Sequence, residues 1–282
     1  MRHFGDFIQA YLDYAEGHEA TVKCHIWSII PVIAAALERR VWIDRGYYTL
    51  YPNLYVFLIG KSGLVKKSTT TSIAVNLLRE CKGIRLMSER MTAASLIQQL
   101  HNAGKEFEYK EKKVKQSPVF CYASELSVFL NEVFGSTHEL LTTFYDCQPN
   151  DPEKPWIYET RHSEALKIFG PCLNILGAST KNWLRKAIPG SEMEAGFSSR
   201  IIFVIENNPP AHLVAWPEVS QSKTDMKALL AQDLQHIYSM KGEITIAPKA
   251  RELFTLWYEY HMKNIVPMNM DPKFSGYMGR KG

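Results

Sequence analysis

The sequence predicts an α/β fold with a wound, largely parallel β-sheet and helical regions at both ends of the chain. The first observation is the uninterrupted apolar run Leu54–Ile59, which has the length of a strand and the composition of strands that are covered on both faces. The second observation is the alternation of helical and strand-like patterns that follows this run as far as Ile205. Such alternation is typical of a sheet with helices wound onto its faces.

Two helical patterns precede this first core strand. Phe4–Ala15 carries its apolar side chains at helical spacing, and Thr21–Arg40 predicts a longer and more deeply buried helix. Pro31 is expected to kink the second helix, because proline removes one backbone hydrogen bond. We therefore expect residues 1–50 to form a helical N-terminal region.

The core is expected over residues 51–208. Its further elements are predicted as helices at Ser68–Cys81 and Thr92–His101, strands at Ile84–Met87, Val119–Tyr122, Leu173–Leu176 and Ile201–Ile205, an exposed hairpin or loop at Phe107–Lys115, and a hairpin at Trp156–Ile168. Pro209 and Pro210 then mark a boundary, since proline interrupts both helices and strands. Residues 209–282 are predicted to form a C-terminal helical region, with helices at Lys223–Met240 and Lys249–Lys263.

Composition excludes several classes of protein. With 46% hydrophobic residues and no long segment of low complexity, the chain is not intrinsically disordered. Its most apolar run, Ile26–Leu37, is shorter than the roughly 20 residues that span a bilayer, and the N-terminus lacks the apolar core of a secretion signal. We therefore expect a cytoplasmic protein with no membrane partner. Five cysteines without a Cys-x-x-Cys pair indicate neither a disulfide framework nor a structural zinc, and a net charge of +4 is too small to identify a nucleic-acid partner.

A glycine loop follows the first core strand directly and leads into a helix. Strand, glycine loop, lysine, hydroxyl and helix are the parts of a phosphate-binding loop: glycines let backbone N–H groups surround phosphate oxygens, and the helix N-terminus adds partial positive charge. The predicted nucleotide-binding residues are Gly60, Lys61, Ser62, Gly63, Leu64, Val65, Lys66, Lys67, Ser68 and Thr69. The other interpretation of the same residues is a Gly-Ser turn before a solvated basic helix start.

The loop has two possible registers, because Lys66 stands where the pattern G-x-x-x-x-G-K-[ST] has its second glycine. In the first register, Lys67 contacts the phosphates and Ser68 ligates Mg²⁺. In the second, Lys66 contacts the phosphates and Lys67 occupies the position of the hydroxyl. The first register is preferred, since a lysine cannot ligate Mg²⁺.

A nucleotide hydrolase also needs a carboxylate at the end of a neighbouring strand. Glu125 follows the strand Val119–Tyr122 and occupies the position of the water-activating carboxylate, where it would also help to hold the metal. Ser124 occupies the position of the metal-side aspartate, which is a departure from the pattern. Glu89 is the reserve candidate for water activation, and a capping serine beside an exposed glutamate is the structural alternative.

Two further residues are candidates for catalytic roles. Thr180 follows the strand Leu173–Leu176, where a hydroxyl is suited to sensing a γ-phosphate, although Ser-Thr before a helix is more often an N-cap. Arg200 precedes the strand Ile201–Ile205 and is a candidate arginine finger for a neighbouring subunit. A structural salt bridge is the equally favoured alternative for Arg200.

The predicted hairpin before the Leu173–Leu176 strand has a basic tip. Arg161 and His162 lie at this tip, with Lys167 beside it, and such a hairpin is suited to contacting a nucleic-acid backbone inside a ring. An ordinary surface hairpin is the alternative.

With these residues in view, the chain resembles the P-loop ATPase domain, of the AAA+ class, found in primase-helicase proteins of phages and mobile elements. The resemblance covers most of the chain and rests on His25–Trp27, Leu37–Trp42, Tyr51–Tyr55, Gly60–Thr69, Ser124–Leu126, Gly196–Arg200 and Gly276–Lys281. In that family a basic pair often precedes the loop hydroxyl, which favours the register with Lys67 and Ser68. The family pattern continues beyond Gly276–Lys281, so the resemblance implies that the chain is truncated.

The resemblance implies an ATP-driven motor with Mg²⁺ that assembles as a homo-oligomeric ring, commonly a hexamer, and acts on DNA, most simply single-stranded DNA, with a primase as a possible partner. Two other functions stay open. The first is an ATP-dependent loader or regulator that does not translocate, and the second is a nucleotide-independent DNA-binding scaffold on a decayed ATPase fold.

Overall fold

The structure is a computed structural model. It describes residues 2–87, 92–126, 137–147, 153–161, 163–187, 196–210, 213–214, 216 and 218–265. The helices in these ranges are α1 (Phe7–Ala15), α2 (Val22–Leu37), α3 (Lys67–Glu80), α4 (Ala93–Asn102), α5 (Thr137–Tyr145), α6 (Lys181–Ala187), α7 (Gln221–Ser239) and α8 (Pro248–Tyr260). The strands are β1 (Val41–Asp44), β2 (Thr49–Leu50), β3 (Tyr55–Ile59), β4 (Leu86–Met87), β5 (Lys105–Tyr109), β6 (Lys112–Ala123), β7 (Trp156–Thr160), β8 (Ser163–Ile168), β9 (Pro171–Ser179), β10 (Ile201–Ile205) and β11 (Gly242–Glu243).

The protein has a mixed α/β fold around a six-stranded, largely parallel sheet. Its strands lie in the order β10-β3-β9-β6-β4, all parallel, and β5 pairs antiparallel with β6. Strand β3 lies inside the sheet and is buried at every position, as its unbroken apolar sequence predicts. The predicted α/β class is therefore confirmed.

Helices cover both faces of this sheet. Helices α1, α2, α3 and α7 pack on one face, where Val56 and Leu58 point, while α4 and α5 pack on the other face with Phe57 and Ile59. Both entry helices begin with a side-chain cap: Asp6 accepts from the Gln9 N–H and Thr21 from the Cys24 N–H. In the described ranges, no helix combines the length and the apolar character needed to cross a bilayer.

Residues 1–50, which the sequence predicts as a helical N-terminal region, also contain strands. Strands β1 and β2 pair antiparallel, and β11 adds to β1 in parallel, forming a separate three-stranded sheet. Helix α2 ends at Leu37 because Glu38 takes a left-handed backbone conformation, with φ of 54°, and its buried carboxylate pairs with Lys105 and Arg40. The contact with Lys105 comes from a distant part of the chain, so local periodicity does not reveal it.

Both predicted hairpins are present. Strands β5 and β6 turn at Lys110 and Glu111, which both have positive φ, and β7 pairs antiparallel with β8. Because the core strands β3, β6, β9 and β10 are parallel, their C-terminal ends meet at one edge of the sheet. In α/β proteins this edge is where ligands bind.

Candidate functional site

The loop after β3 lies at this C-terminal edge and has a tightly constrained first residue. A Cβ atom added to Gly60 would lie 2.7 Å from the Glu206 carbonyl oxygen, so only glycine fits there. Gly63 has φ of 73° and Lys66 has φ of 53°, so two residues of the loop have a left-handed backbone conformation before α3 begins. Helix α3 then begins at Lys67, without a side-chain cap from Lys66.

A cleft with a volume of about 210 Å³ opens in front of this helix N-terminus. Three segments contribute polar groups to its lining: the loop and the first turn of α3, the residues after β6, and the end of β9. From these segments the cleft is lined by Ser62, Gly63, Lys66, Lys67, Ser68, Thr69, Ser124, Glu125, Ala178, Ser179 and Thr180. N–H groups in the first turn of a helix lack carbonyl partners within that helix, so the cleft is suited to binding an anion.

The two adjacent lysines have different environments. The Lys67 side chain is buried, and its Nζ donates to the carbonyl oxygens of Gly60, at 2.9 Å, and Lys61, at 3.2 Å. The Lys66 side chain is 42% exposed, and its Nζ lies 3.0 Å from a Glu19 carboxylate oxygen. Hydrogen bonds from Lys66 and from the Val214 N–H lower the pKa of the Glu19 carboxyl, which therefore binds Lys66 as an anion.

Burial lowers the pKa of the Lys67 ammonium, and the negative charge of Glu125 opposes this shift. Glu125 is exposed and Ser124 half-buried, and both follow β6 directly. Lys67 and Glu125 therefore lie across the same cleft, as the sequence predicts for a phosphate lysine and a carboxylate. Ser68, at the start of α3, is exposed in this cleft as well. The reserve candidate Glu89 lies outside the described residues.

The end of β9 brings two hydroxyls to the cleft. Thr180 caps α6, because its Oγ1 accepts a hydrogen bond from the Trp183 N–H at 3.3 Å. Ser179 is 2% exposed, and its Oγ has no hydrogen-bond partner among the described residues. A buried hydroxyl without a partner usually marks a bound ligand, ion or water. Sequence reasoning selected Thr180, whereas the structure makes Ser179 the better candidate for contacting a ligand.

Arg200 lies at the opposite, N-terminal edge of the sheet. Its guanidinium donates through two nitrogens to the Asp146 carboxylate and through a third to the Gly196 carbonyl oxygen. The side chain is 6% exposed. This is the geometry of the structural salt bridge, and it keeps Arg200 away from the cleft of its own chain.

The basic hairpin tip is only partly described. Arg161 and the Lys167 side chain are exposed, and His101 Nδ1 lies within hydrogen-bonding distance of the Lys167 backbone, where it accepts from the N–H or donates to the carbonyl oxygen according to its tautomer. His162 lies outside the described residues. The two cationic side chains therefore face solvent, next to the strand that leads into β9.

No protein-family model matches the sequence, and no curated protein does. One solved structure that aligns with the chain is described as "SCCmec type IV Cch - active helicase", with 12% identity and a TM-score of 0.43. The alignment covers 99% of this chain and 44% of that one, so the chain spans less than half of that protein. A similarity at this TM-score shows neither the fold nor the activity of the chain.

The residues that line the cleft fit a nucleoside triphosphate with Mg²⁺. The glycine loop, the helix N-terminus and the Lys67 ammonium supply groups for phosphate oxygens, and Ser68 and Glu125 supply oxygens of the kind Mg²⁺ prefers. The described residues contain no group of three or more His, Cys, Asp or Glu side chains able to hold a metal ion by themselves. Ser68 and Glu125 would supply part of the ligand set of such a metal.

Proposed function

We propose that the chain is the P-loop ATPase core, of the AAA+ class, of an ATP-hydrolysing motor. The observation that carries the proposal is the Lys67 ammonium, buried at the base of a glycine loop, at the N-terminus of α3, and facing Glu125 across the cleft. Its hydrogen bonds go to backbone carbonyl oxygens of the loop itself. It can exchange these bonds for phosphate oxygens without leaving a side-chain partner unpaired.

Each group at the cleft has a role in this proposal. ATP would supply the phosphoryl group, and Mg²⁺ would supply positive charge that offsets the negative charge of the phosphates. Lys67 and the loop amides bind the phosphates, and Ser68 and Glu125 hold the metal side of the complex. Glu125 also orients or activates the attacking water, and Ser179 or Thr180 contacts the γ-phosphate side of the cleft. Catalysis would be mostly positioning and electrostatic stabilisation.

The motor would act as a homo-oligomeric ring, most simply a hexamer, on single-stranded DNA in the replication of a phage or mobile element, with a primase as a partner. The resemblance of the motifs supports this part of the proposal. One observation agrees with it: the side chains of Arg161 and Lys167 are exposed, where they can contact a phosphate backbone.

The first experiment is a titration of the wild-type protein with a fluorescent ATP analogue, with and without Mg²⁺. Lys67→Ala is expected to weaken binding and to reduce ATP turnover by roughly 10²–10³-fold, because it removes a buried cation from the phosphate site. Lys66→Ala tests the other register and should reduce both by much less than Lys67→Ala does, because Lys66 is exposed and paired with Glu19. Unchanged ATPase activity in Lys67→Ala would contradict the site assignment.

The second experiment measures the ATPase rate with and without single-stranded DNA, together with native mass. Stimulation by DNA, strand displacement and a ring-sized mass support the motor. Nucleotide-dependent association with another protein, without stimulation by DNA, would indicate the loader instead. Absence of nucleotide binding would indicate the scaffold, which Ser124 in place of the metal-side aspartate favours.

A further inference from the structure

Tyr122 connects the two elements that flank the cleft, strand β6 and helix α3, through hydrogen bonds. It lies on β6, two residues before Ser124, and is 5% exposed with its ring packed among core residues on the α3 face of the sheet. Its hydroxyl oxygen lies 2.8 Å from Ser72 Oγ and 3.2 Å from Thr71 Oγ1, and it is 3.5 Å from the Ser68 carbonyl oxygen. Tyr122 therefore connects the strand that ends at the carboxylate with the first two turns of α3.

The direction of these hydrogen bonds follows from counting donors. Thr71 Oγ1 lies 3.1 Å from the Lys67 carbonyl oxygen and 2.9 Å from that of Ser68, and carbonyl oxygens only accept. The single hydroxyl hydrogen of Thr71 is thus used on the helix backbone. All three hydroxyls donate once if Ser72 donates to Tyr122, and Tyr122 donates either to Thr71 or to the Ser68 carbonyl oxygen. In both arrangements the series of hydrogen bonds ends on carbonyl groups of Lys67 and Ser68, the two residues that begin α3.

We infer that Tyr122 is a positioning residue that sets the distance between Glu125 and the start of α3. Apolar packing tolerates small sliding of a helix over a strand, whereas hydrogen bonds require particular distances and angles. These hydrogen bonds end on the carbonyl oxygens of Lys67 and Ser68. In the proposed function the same two residues contact the nucleotide and its metal. The inference rests on the proposed function, because it concerns the geometry of the same site.

The variant Tyr122→Phe removes one oxygen and keeps the ring. We expect kcat for ATP to fall roughly tenfold, KM to change by less than about twofold, and the Mg²⁺ concentration at half-maximal rate to rise, because a small displacement of reacting groups affects the transition state more than ground-state binding. Amide hydrogen exchange over residues 67–72 should become faster. Thr71→Val should reproduce these changes, and Thr71→Ser, which keeps the hydroxyl, should restore wild-type values.

Tyr55→Phe is the matched control. Tyr55 is also fully buried in the sheet, but its hydroxyl donates to the Leu141 carbonyl oxygen on the opposite face, at 2.8 Å. This variant should lose similar stability and keep the wild-type kcat, Mg²⁺ dependence and exchange over residues 67–72. If a general loss of stability were the cause, both variants would behave alike, and that result would overturn the inference.

The two proposals can fail separately. A wild-type protein that binds and hydrolyses ATP, with Tyr122→Phe unchanged in kcat and Mg²⁺ dependence, would overturn the positioning role and leave the ATPase intact. A wild-type protein without ATP turnover would overturn the proposed function. In that case, unchanged amide exchange over residues 67–72 in Tyr122→Phe would also show that the hydroxyl does not hold the helix.

Discussion

The two edges of the central sheet use their polar side chains differently. At the N-terminal edge, Arg200 pairs with Asp146, the Arg39 guanidinium donates to the Cys147 carbonyl oxygen, and the Asn53 amide donates to that of Tyr145. At the C-terminal edge, the Lys67 ammonium has only backbone carbonyl oxygens as hydrogen-bond partners among the described residues, and Ser179 Oγ has none. These three side chains at the N-terminal edge are paired within the chain, whereas Lys67 and Ser179 at the C-terminal edge leave part of their hydrogen-bonding capacity unused.

This difference separates residues that support the fold from residues available to a ligand. A buried polar group that is fully paired contributes to stability, and its removal leaves its partner unpaired. A buried polar group with poor partners lowers stability and is retained where function needs it. The comparison therefore predicts that substitutions at the two edges affect stability and activity in opposite proportions.

The largest expected effect is on turnover at the C-terminal edge. Glu125→Gln should leave nucleotide binding within about twofold and reduce hydrolysis by at least about 100-fold, because the neutral amide cannot act as a base for water. Binding of a fluorescent analogue and steady-state ATPase rates measure the two quantities. Glu111→Gln, in the exposed β5–β6 turn, is the control and should change neither. Retention of full ATPase activity in Glu125→Gln would show that another group activates water.

The next effect concerns the N-terminal edge. Arg200→Ala should lower the free energy of unfolding by about 2 kcal/mol, because it removes a buried guanidinium with its hydrogen bonds, while the 38% exposed Asp146 carboxylate stays partly solvated. Lys67→Met should change the same quantity by less than about 1 kcal/mol, since the Lys67 ammonium forms no close ion pair with the residues that the structure describes. Urea denaturation of both variants tests this difference. Equal losses of stability would contradict the contrast between the edges.

A pH-dependent loss of stability is expected from His25, in the first turns of α2. His25 is buried between Tyr11 and His18, with its Nδ1 3.2 Å from the tyrosine hydroxyl and its Nε2 3.1 Å from His18 Nδ1. Burial, together with the charge of His18, lowers the pKa of His25 from 6.5 to about 4.

The sign of this effect follows from proton binding. Between pH 6.5 and 4 the unfolded chain binds a proton at His25 that the folded chain does not, so stability falls as the pH falls, by about 2 kcal/mol from pH 6.5 to 4.5. Above pH 6.5 this contribution is constant. Urea denaturation at both pH values should show a smaller difference for His25→Gln than for the wild type. An equal difference in both proteins would mean that other groups cause the acid sensitivity.

The smallest effect separates two neighbouring hydroxyls. Thr180→Val should lower the free energy of unfolding by about 1 kcal/mol, because it removes the cap of α6. Ser179→Ala should leave stability unchanged, since Ser179 Oγ makes no hydrogen bond among the described residues, and should reduce ATP turnover more than Thr180→Val does. Thermal unfolding and ATPase rates of the two variants test this. The reverse pattern would return the ligand-contacting role to Thr180.

Local patterns were sufficient for much of the fold. The strand β3, the helix α3 and the β7–β8 hairpin lie within one or two residues of their predicted bounds, because their apolar periods and turn residues are contained in short windows of sequence. The small sheet of β1, β2 and β11 was not predicted. Its strands are two to four residues long, and β11 lies about 200 residues from its partner along the chain, so no short window contains the pairing.

The sequence by itself determined the class of fold and the candidate phosphate loop, because the order of strand, glycines, lysines and helix is a local property. Only the tertiary structure decided how the candidate residues differ: which of two adjacent lysines is buried, which of two adjacent hydroxyls lacks a partner, and that Arg200 pairs with Asp146. The physical reason is that burial and hydrogen bonding depend on groups contributed by distant segments. Glu19 pairs with Lys66, and Tyr122 is hydrogen-bonded to α3 from β6, through contacts that form only when the chain is folded.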